Sequence, residues 1–128
     1  MNGMKSLVSS VLWSATMEMT DFAGEVFGTG TEGRAGKTLE ALLGQAVRVA
    51  SCVTLGLEEP DLAERESLFE EARSALGALA ARIHIAAGGG YVTPEFALGM
   101  RRRLKVVVDA LDVERYRARK KALRKAAA

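Results

Sequence analysis

The sequence has few of the residues on which enzyme sites and cross-links depend. It contains one cysteine, Cys52, one histidine, His84, two prolines, and only 5% aromatic residues in a chain of 128. A lone cysteine excludes an intrachain disulfide and fits a reducing compartment. Neither Cys52 nor His84 has a partner at metal-ligand spacing, and no nucleophile is accompanied by a base. We therefore expect no metal, no cofactor and no enzymatic activity.

Long hydrophobic runs are also scarce. No uninterrupted apolar stretch approaches the roughly 20 residues that cross a bilayer, so we expect no membrane segment. Lys5 followed by residues 7–13 is weakly similar to a secretion signal. Serines interrupt this run, however, and its helical pattern continues to Phe27. The sequence therefore predicts a soluble, cytoplasmic protein.

Charge is unevenly distributed along the chain. The formal net charge is only +2, but residues 101–128 contain 11 basic and 3 acidic residues, whereas residues 1–100 contain 7 basic and 13 acidic residues. A basic end on a mildly acidic body indicates a polyanion or an acidic protein surface as a partner.

Hydrophobic residues recur at helical spacing in four segments, at about 6–27, 38–57, 61–87 and 94–125. No segment has the period of a strand, and no internal repeat is present. The pattern predicts one all-α domain over residues 1–128, folded as an up-down-up-down four-helix bundle. The expected inner residues are Val8, Val11, Leu12, Ala15, Met19, Phe22 and Val26 in the first helix, Leu39, Leu42, Ala46, Ala50, Val53 and Leu57 in the second, Phe69, Ala72, Leu76, Leu79, Ile83 and Ala86 in the third, and Ala97, Met100, Leu104, Val107 and Leu111 in the fourth.

Short polar and glycine-rich signals predict where these helices begin and end. Ser6 and Thr93 are expected N-caps, and Pro94 suits a first helical position. Asp61 is the expected N-cap of the third helix, in a capping box with Glu64. Gly88–Gly90 should end that helix, and Gly28–Gly36 should be a flexible loop.

The loop around Gly36-Lys37-Thr38 has some likeness to a phosphate-binding loop. That motif needs a glycine five residues before Gly36, but Thr31 occupies the position. It also needs a preceding β-strand, and a helical pattern precedes it here. We expect an interhelical connection rather than a nucleotide site, with a phosphate-loop enzyme as the remote alternative.

Two helices have more apolar surface than one bundle can bury. Val106 and Val108 flank the inner stripe of the fourth helix, and Trp13 with Met17 forms a second apolar strip on the first. Gly44 and Ser51 in the second helix are expected to permit close helix approach. The surplus predicts a homo-oligomer, in the form of a ring.

The basic residues form the predicted binding surface. Arg82 and His84 precede the turn between the third and fourth helices, and Arg101–Lys105 follow it, so we expect the two groups to lie close together. From Arg115 onward, seven basic residues meet only one acid, Glu114. The predicted nucleic-acid or partner-binding residues are Arg82, Arg101, Arg102, Arg103, Lys105, Arg115, Arg117, Arg119, Lys120, Lys121, Arg124 and Lys125.

Part of this surface has a simpler interpretation. Lys105 and Asp109 stand four residues apart, where opposite charges pair on a solvated helix face. The alternative to binding is therefore a solvated tail that only improves solubility. Tyr116 is the only aromatic residue in the basic region, so stacking on specific bases is not indicated.

Several short motifs, in their order and spacing, resemble the accessory variability determinant of diversity-generating retroelements. They are Leu42-Leu43-Gly44-Gln45, Leu68-Phe69 followed by Ala72 and Leu76, Arg82, Thr93-Pro94 and the basic C-terminus. The chain is also similar to the wider four-helix-bundle family encoded in intervening sequences of ribosomal RNA genes. It departs from that wider family at residues 54–60 and at Ala78 and Ala80, which favours the retroelement branch.

The resemblance implies a homopentameric barrel of four-helix protomers. Such a protein binds the reverse transcriptase of the retroelement and its template RNA, with DNA as a further ligand. It supports mutagenic cDNA synthesis without being a catalyst. The alternative is a structural homo-oligomer of the ribosomal RNA intervening-sequence type with general RNA or nucleic-acid binding.

Overall fold

The structure is a computed structural model that describes residues 10–26 and 33–127. These residues form four α-helices and no strand: α1 Val11–Gly24, α2 Gly33–Glu58, α3 Leu62–Gly88 and α4 Pro94–Ala127. The expected all-α class is confirmed. The first predicted segment reaches into residues 6–9 and residue 27, which lie outside the described ranges, as do residues 28–32 of the predicted loop.

The helices pack as a closed four-membered arrangement. Each helix contacts its neighbour in the chain, and α4 also packs against α1; the described parts of α1 and α3, and of α2 and α4, do not pack on each other. Early residues of α3 lie beside late residues of α4, as the Glu66–Arg115 pair shows. The architecture is a four-helix bundle, as the hydrophobic periodicity predicts.

The core is organised around α3. All six residues predicted for its inner stripe are fully buried: Phe69, Ala72, Leu76, Leu79, Ile83 and Ala86. In α4, Ala97, Met100, Val107 and Leu111 are buried as predicted, and Leu104 is half-buried. Burial of such stripes is the main source of stability in a bundle of this kind.

The inner faces of α1 and α2 differ in part from the expectation. Val11 is exposed, whereas Thr16 is buried and donates from its hydroxyl to the Leu12 carbonyl at 2.7 Å. That bond satisfies the polar group within its own helix, so a threonine is tolerated in the core. In α2, Val49 and Cys52 are buried, whereas Ala50 is only half-buried.

The starts of α1 and α2 also differ from the prediction. Ser10 caps α1, since its side chain accepts from the Trp13 amide at 3.2 Å, and the predicted cap Ser6 lies outside the described residues. Helix α2 begins at Gly33, so the second half of the predicted glycine loop is helical. The Thr38 hydroxyl donates to the Arg34 carbonyl at 2.9 Å within this added turn. Glycine lowers helix stability but does not forbid a helix where neighbouring residues favour it.

The α2–α3 connection contains a capping arrangement that differs in one bond from the predicted box. Asp61 accepts from the Glu64 amide at 3.1 Å, as expected. The Asp61 amide, however, donates to the side chain of Glu59 at 3.1 Å rather than to Glu64. Arg65 donates twice to the Glu59 carbonyl, at 2.7 and 3.0 Å, and so ties the same turn to the helix.

The α3–α4 connection is fixed at both ends. Gly90 adopts φ +73°, a conformation in which L side chains are strained. The Tyr91 amide donates to the Ala86 carbonyl and the Gly90 amide to the Ala87 carbonyl, which is the bond pattern of a Schellman motif. Thr93 then caps α4 by accepting from the Phe96 amide at 3.1 Å, as predicted.

One helix is longer and more apolar than expected for a chain without membrane segments. By length and composition alone, α2 is able to cross a bilayer. The core helix of a soluble protein passes the same test, and α2 packs on both α1 and α3 through buried residues such as Leu42, Ala46 and Val53. Burial in the bundle accounts for part of this hydrophobicity, whereas Val47 and Leu55 of the same helix are exposed.

The close approach of α2 to α3 occurs at Gly56, not at the predicted Gly44. A Cβ added at Gly56 would lie 2.6 Å from Cε1 of the fully buried Phe69 ring, whereas a Cβ at Gly44 would meet nothing within 4 Å. The Phe69 ring therefore occupies the space that a side chain at Gly56 would need.

Adding one methyl group at these two glycines should have opposite effects. We expect Gly56→Ala to lower the free energy of unfolding by about 1–3 kcal/mol, because the core is overpacked. Gly44→Ala should raise it by up to about 1 kcal/mol, because alanine favours the helix and has room. Urea unfolding followed by circular dichroism measures both. A Gly56→Ala variant as stable as Gly44→Ala would contradict the proposed contact.

Candidate nucleic-acid and partner interface

The basic residues of α4 differ in how far they are exposed. Arg103 and Arg115 are half-buried, while the others point into solvent. The exposed group is Arg101, Arg102, Lys105, Arg117, Arg119, Lys120, Lys121, Arg124 and Lys125. The two half-buried residues have contacts that show a structural role.

Arg115 holds α4 against α3 through Glu66. Arg115 donates to both carboxylate oxygens of Glu66, at 2.7 and 3.3 Å, and Arg119 donates to one of them at 3.2 Å. The expectation that the basic tail meets only Glu114 is therefore wrong. The acid comes from another helix, 49 residues away. The spacing of Arg115 and Arg119, one helical turn apart, was the available signal that they share a partner.

The hydrogen bonds between Arg115 and Glu66 shift the pKa values of both side chains. The hydrogen bond from Arg115 lowers the pKa of Glu66, although partial burial opposes the shift. The hydrogen bond to Glu66 raises the pKa of Arg115 against the same opposition. Arg115 is thus committed to holding the bundle together, which removes it from the set of free cations.

The Arg103 side chain contacts α1 and so helps to hold α4 against it. Its guanidinium lies 3.9 Å from the centre of the Phe22 ring, and that ring stacks on Phe96 at 5.1 Å. Its Nη1 donates to the Gly99 carbonyl at 3.1 Å. Nε lies 3.7 Å from a Glu18 oxygen, an ion-pair distance that is too long for a hydrogen bond.

Three exposed basic residues have local contacts on α4 itself. Lys105 pairs with Asp109 at 3.1 Å, as predicted, and Arg117 pairs with Glu114 at 3.4 Å. The ammonium of Lys120 lies 5.7 Å from the centre of the Tyr116 ring. Exposed pairs of this kind contribute little to stability, so an anionic ligand can replace the acid at small cost.

Exposed cations without an ion pair to any residue in the ranges 10–26 and 33–127 include Arg34, Lys37, Arg48 and Arg73 on α2 and α3. The unpaired cations among the predicted binding residues are Arg82, Arg101, Arg102, Lys121, Arg124 and Lys125, all exposed. Their positive charge is not neutralised by the described fold, which makes them the strongest candidates for contacts with an anionic partner.

Arg82 and His84 lie on different faces of α3. Arg82 follows Glu71 by eleven residues, about three turns, and Glu71 accepts from Cys52 of α2. His84 follows Glu66 by eighteen residues, about five turns, and Glu66 faces α4. His84 therefore lies on the side of α4, whereas Arg82 lies on the side of α2. The sequence predicted that Arg82 and Arg101–Lys105 form one patch. The positions of these residues do not support that prediction.

The other candidate reactive residues have unremarkable surroundings. The Cys52 thiol lies 3.6 Å from Glu71 Oε2, and burial followed by this acid raises the pKa of the thiol. The thiol therefore stays protonated and is a weak nucleophile. His84 is exposed. Among the described residues, no group of three or more histidine, cysteine or acidic side chains could hold a metal ion.

Lys37 lies on the exposed surface of α2, within the first turns of the helix. Arg34, Ala35 and Gly36, which a phosphate-binding loop would need in an open conformation, are also helical.

No protein-family model matches the chain, and a search of curated proteins likewise finds no match.

The Glu66 pair predicts a specific dependence of stability on pH. Because its pKa is lowered in the folded state, Glu66 stabilises the protein above the unfolded-state pKa of about 4.3, and this contribution is lost as the pH falls through the folded-state pKa. Glu66→Gln should lower the free energy of unfolding at pH 7 by about 1–3 kcal/mol. The difference from the wild type, measured by urea unfolding, should shrink below about pH 4.

The matched control is Asp109→Asn, which removes an exposed carboxylate that also bonds a cation. Its effect should stay under about 1 kcal/mol at every pH. A Glu66→Gln effect as small as that of Asp109→Asn would show that the pair does not hold α4.

The position of Lys37 predicts that it has no role in nucleotide binding. Lys37→Ala should leave helicity and any partner binding unchanged, because the lysine has no described contact to lose. Equilibrium dialysis with ATP should detect no binding to either form. ATP binding by the wild type that disappears in Lys37→Ala would restore the phosphate-loop alternative.

Proposed function

We propose that the protein is a non-enzymatic accessory factor of a diversity-generating retroelement. It acts in the cytoplasm as a homo-oligomer, a pentameric ring on the resemblance described above. The basic side chains bind the template RNA and acidic surfaces of the reverse transcriptase, and so hold the two together during mutagenic cDNA synthesis. DNA is a further ligand of the same chemistry.

One observation carries this proposal: the fold uses only some of the cations of α4. Arg103 and Arg115 are tied to Phe22 and Glu66, whereas Arg101, Lys121 and other exposed cations have no acid partner among the described residues. Unpaired cations held near one another on one helix repel each other. A bound polyanion offsets this repulsion with its negative charge, and the counterions that its phosphates release add a favourable entropy.

The chemistry of this surface favours backbone contacts over base recognition. Tyr116 is the only aromatic side chain among the basic residues of α4, and Lys120 already lies over its ring. Guanidinium and ammonium groups bind phosphates without reading sequence. An accessory factor of this type tolerates any template sequence, as copying with mutations requires.

A second candidate is a structural homo-oligomer of the ribosomal RNA intervening-sequence type with general nucleic-acid binding. Large exposed apolar side chains favour the oligomer in either case, and they include Val47, Leu55, Ile85, Val106 and Val113. The two candidates differ in the polymerase. A reverse transcriptase encoded beside this chain should co-purify with it under the first proposal and not under the second.

Removing free cations should weaken RNA binding without affecting the fold. We expect Arg101→Gln/Lys121→Gln to bind single-stranded RNA at least tenfold more weakly at 150 mM salt. The slope of log affinity against log salt should become shallower by about 1.4, since each phosphate contact on a single strand contributes about 0.7. Fluorescence anisotropy over a salt series measures both quantities.

The matched control is Arg34→Gln/Lys37→Gln, which also removes one arginine and one lysine, but from exposed positions on α2. It should leave the affinity within twofold of the wild type. Equal losses in the two variants would show that RNA responds only to net charge, and no loss in either would refute the proposed interface.

A further inference from the structure

One side of the bundle combines acidic residues with an apolar groove. Glu18, Asp21 and Glu25 follow one another at spacings of three and four on the exposed face of α1. Beside them, a groove between α1 and α2 is lined mainly by apolar atoms of Met17, Val47, Ala50 and Leu55, together with small polar residues. We call this combination the acidic groove.

The groove is open to solvent at its apolar side chains. Val47 is 48% exposed and Leu55 is 58% exposed, although both belong to a helix that otherwise packs on two neighbours. Leaving two such side chains in water next to one another forfeits the burial energy that apolar residues normally contribute. The groove therefore has the character of a surface that is covered in an assembly.

A second surface, on α4, is basic where the groove is acidic, and it also contains exposed apolar side chains. Arg102, Val106, Val113 and Arg117 follow at spacings of four, seven and four, which places them in one exposed stripe along the helix. Val106 is 53% exposed and Val113 is 48% exposed. We call these four residues the basic stripe.

The basic stripe cannot reach the apolar residues of the acidic groove in its own chain. In the described bundle α4 packs against α1 and α3, and it does not pack against α2. Arg102 and Val106 lie beside Ala15 and Glu18, where α4 meets α1. Met17, Val47 and Leu55 lie where α1 meets α2. A contact between these two surfaces must therefore join two copies of the chain.

We propose that the basic stripe of one protomer docks into the acidic groove of the next. Val106 and Val113 cover Met17, Val47 and Leu55, while the arginines of the stripe pair with Asp21 and Glu25, because Glu18 already lies near Arg103 of its own chain. Because the two surfaces differ, the contact is heterologous, and repetition of it closes a ring when the rotation allows. This inference rests on the homo-oligomer in the proposed function.

The docking also divides the basic residues between two roles. Arg102 and Arg117 are used between protomers. Arg101 points from another face of α4, and Lys121 and Lys125 lie beyond the last residue of the stripe, so these three stay available to RNA. Each protomer then adds a few free cations to a common surface. Weak phosphate contacts at such repeated positions act together through their effective concentration.

Two complementary variants test the docking. Val47→Gln/Leu55→Gln alters only the groove, and Val106→Gln/Val113→Gln alters only the stripe, all at exposed positions that keep the bundle intact. Light scattering at tens of micromolar should give the protomer mass for each variant alone. An equimolar mixture should give twice that mass, because each variant retains the one surface that the other lacks. Ile85→Gln, at an exposed position on α3 outside both surfaces, should keep the wild-type mass.

Exchanging the charges of the acidic groove and the basic stripe provides a second, independent test. Asp21→Lys/Glu25→Lys should dissociate the oligomer, and adding Arg102→Glu/Arg117→Glu to the same chain should restore it. The docking is refuted if the wild type is monomeric, if either glutamine variant keeps the wild-type mass, or if the mixture stays monomeric. RNA binding is recorded in parallel. If the wild-type oligomer does not bind RNA while all variants give the predicted masses, the proposed function is refuted and the docking stands.

Discussion

The Phe69 ring lies against the backbone of α2 at Gly56, and this contact sets the distance between the two central helices. A Cβ at Gly56 would come within 2.6 Å of the ring, so only glycine permits the observed approach. The rest of α3 then presents a continuous buried stripe to the core. Helix α4 packs on that same α3 and, from the other side, on α1. The position of the basic helix thus depends on a core contact made by two other helices.

Helix α4 has to bury one face while its basic residues repel one another. Contacts with the neighbouring helices hold several of these residues. The Glu66 carboxylate bonds both Arg115 and Arg119, and the Arg103 guanidinium lies over the Phe22 ring. Three of the basic residues therefore make contacts that link α4 to both of its neighbours. The cations that remain are exposed at both ends of the helix. This division between structural and free cations is what makes the proposed RNA surface specific rather than a general property of a basic tail.

Hydrophobic periodicity was sufficient to predict the four helices and the whole inner stripe of α3, because those residues lie on one helix face whatever they pack against. The caps at Asp61 and Thr93 followed from local hydrogen-bond chemistry in the same way. Contacts between helices could not be predicted. Glu66 stands 49 residues from Arg115, and the close approach at Gly56 depends on the ring of Phe69 in another helix. For the same reason the sequence analysis placed Arg82 beside the basic residues of α4, although Arg82 lies on the face of α3 that points toward α2.

The central claim is that the unpaired cations of α4, and not those of α2, bind RNA. The most direct measurement is the reactivity of individual lysine and arginine side chains toward covalent modifying reagents, with and without single-stranded RNA, read by mass spectrometry. The account predicts that RNA protects Arg101 and Lys121, that Arg34 and Lys37 stay reactive, and that Arg115 is protected in both states. Equal reactivity of Arg101 and Lys121 with and without RNA, under conditions in which RNA is bound, would contradict the account.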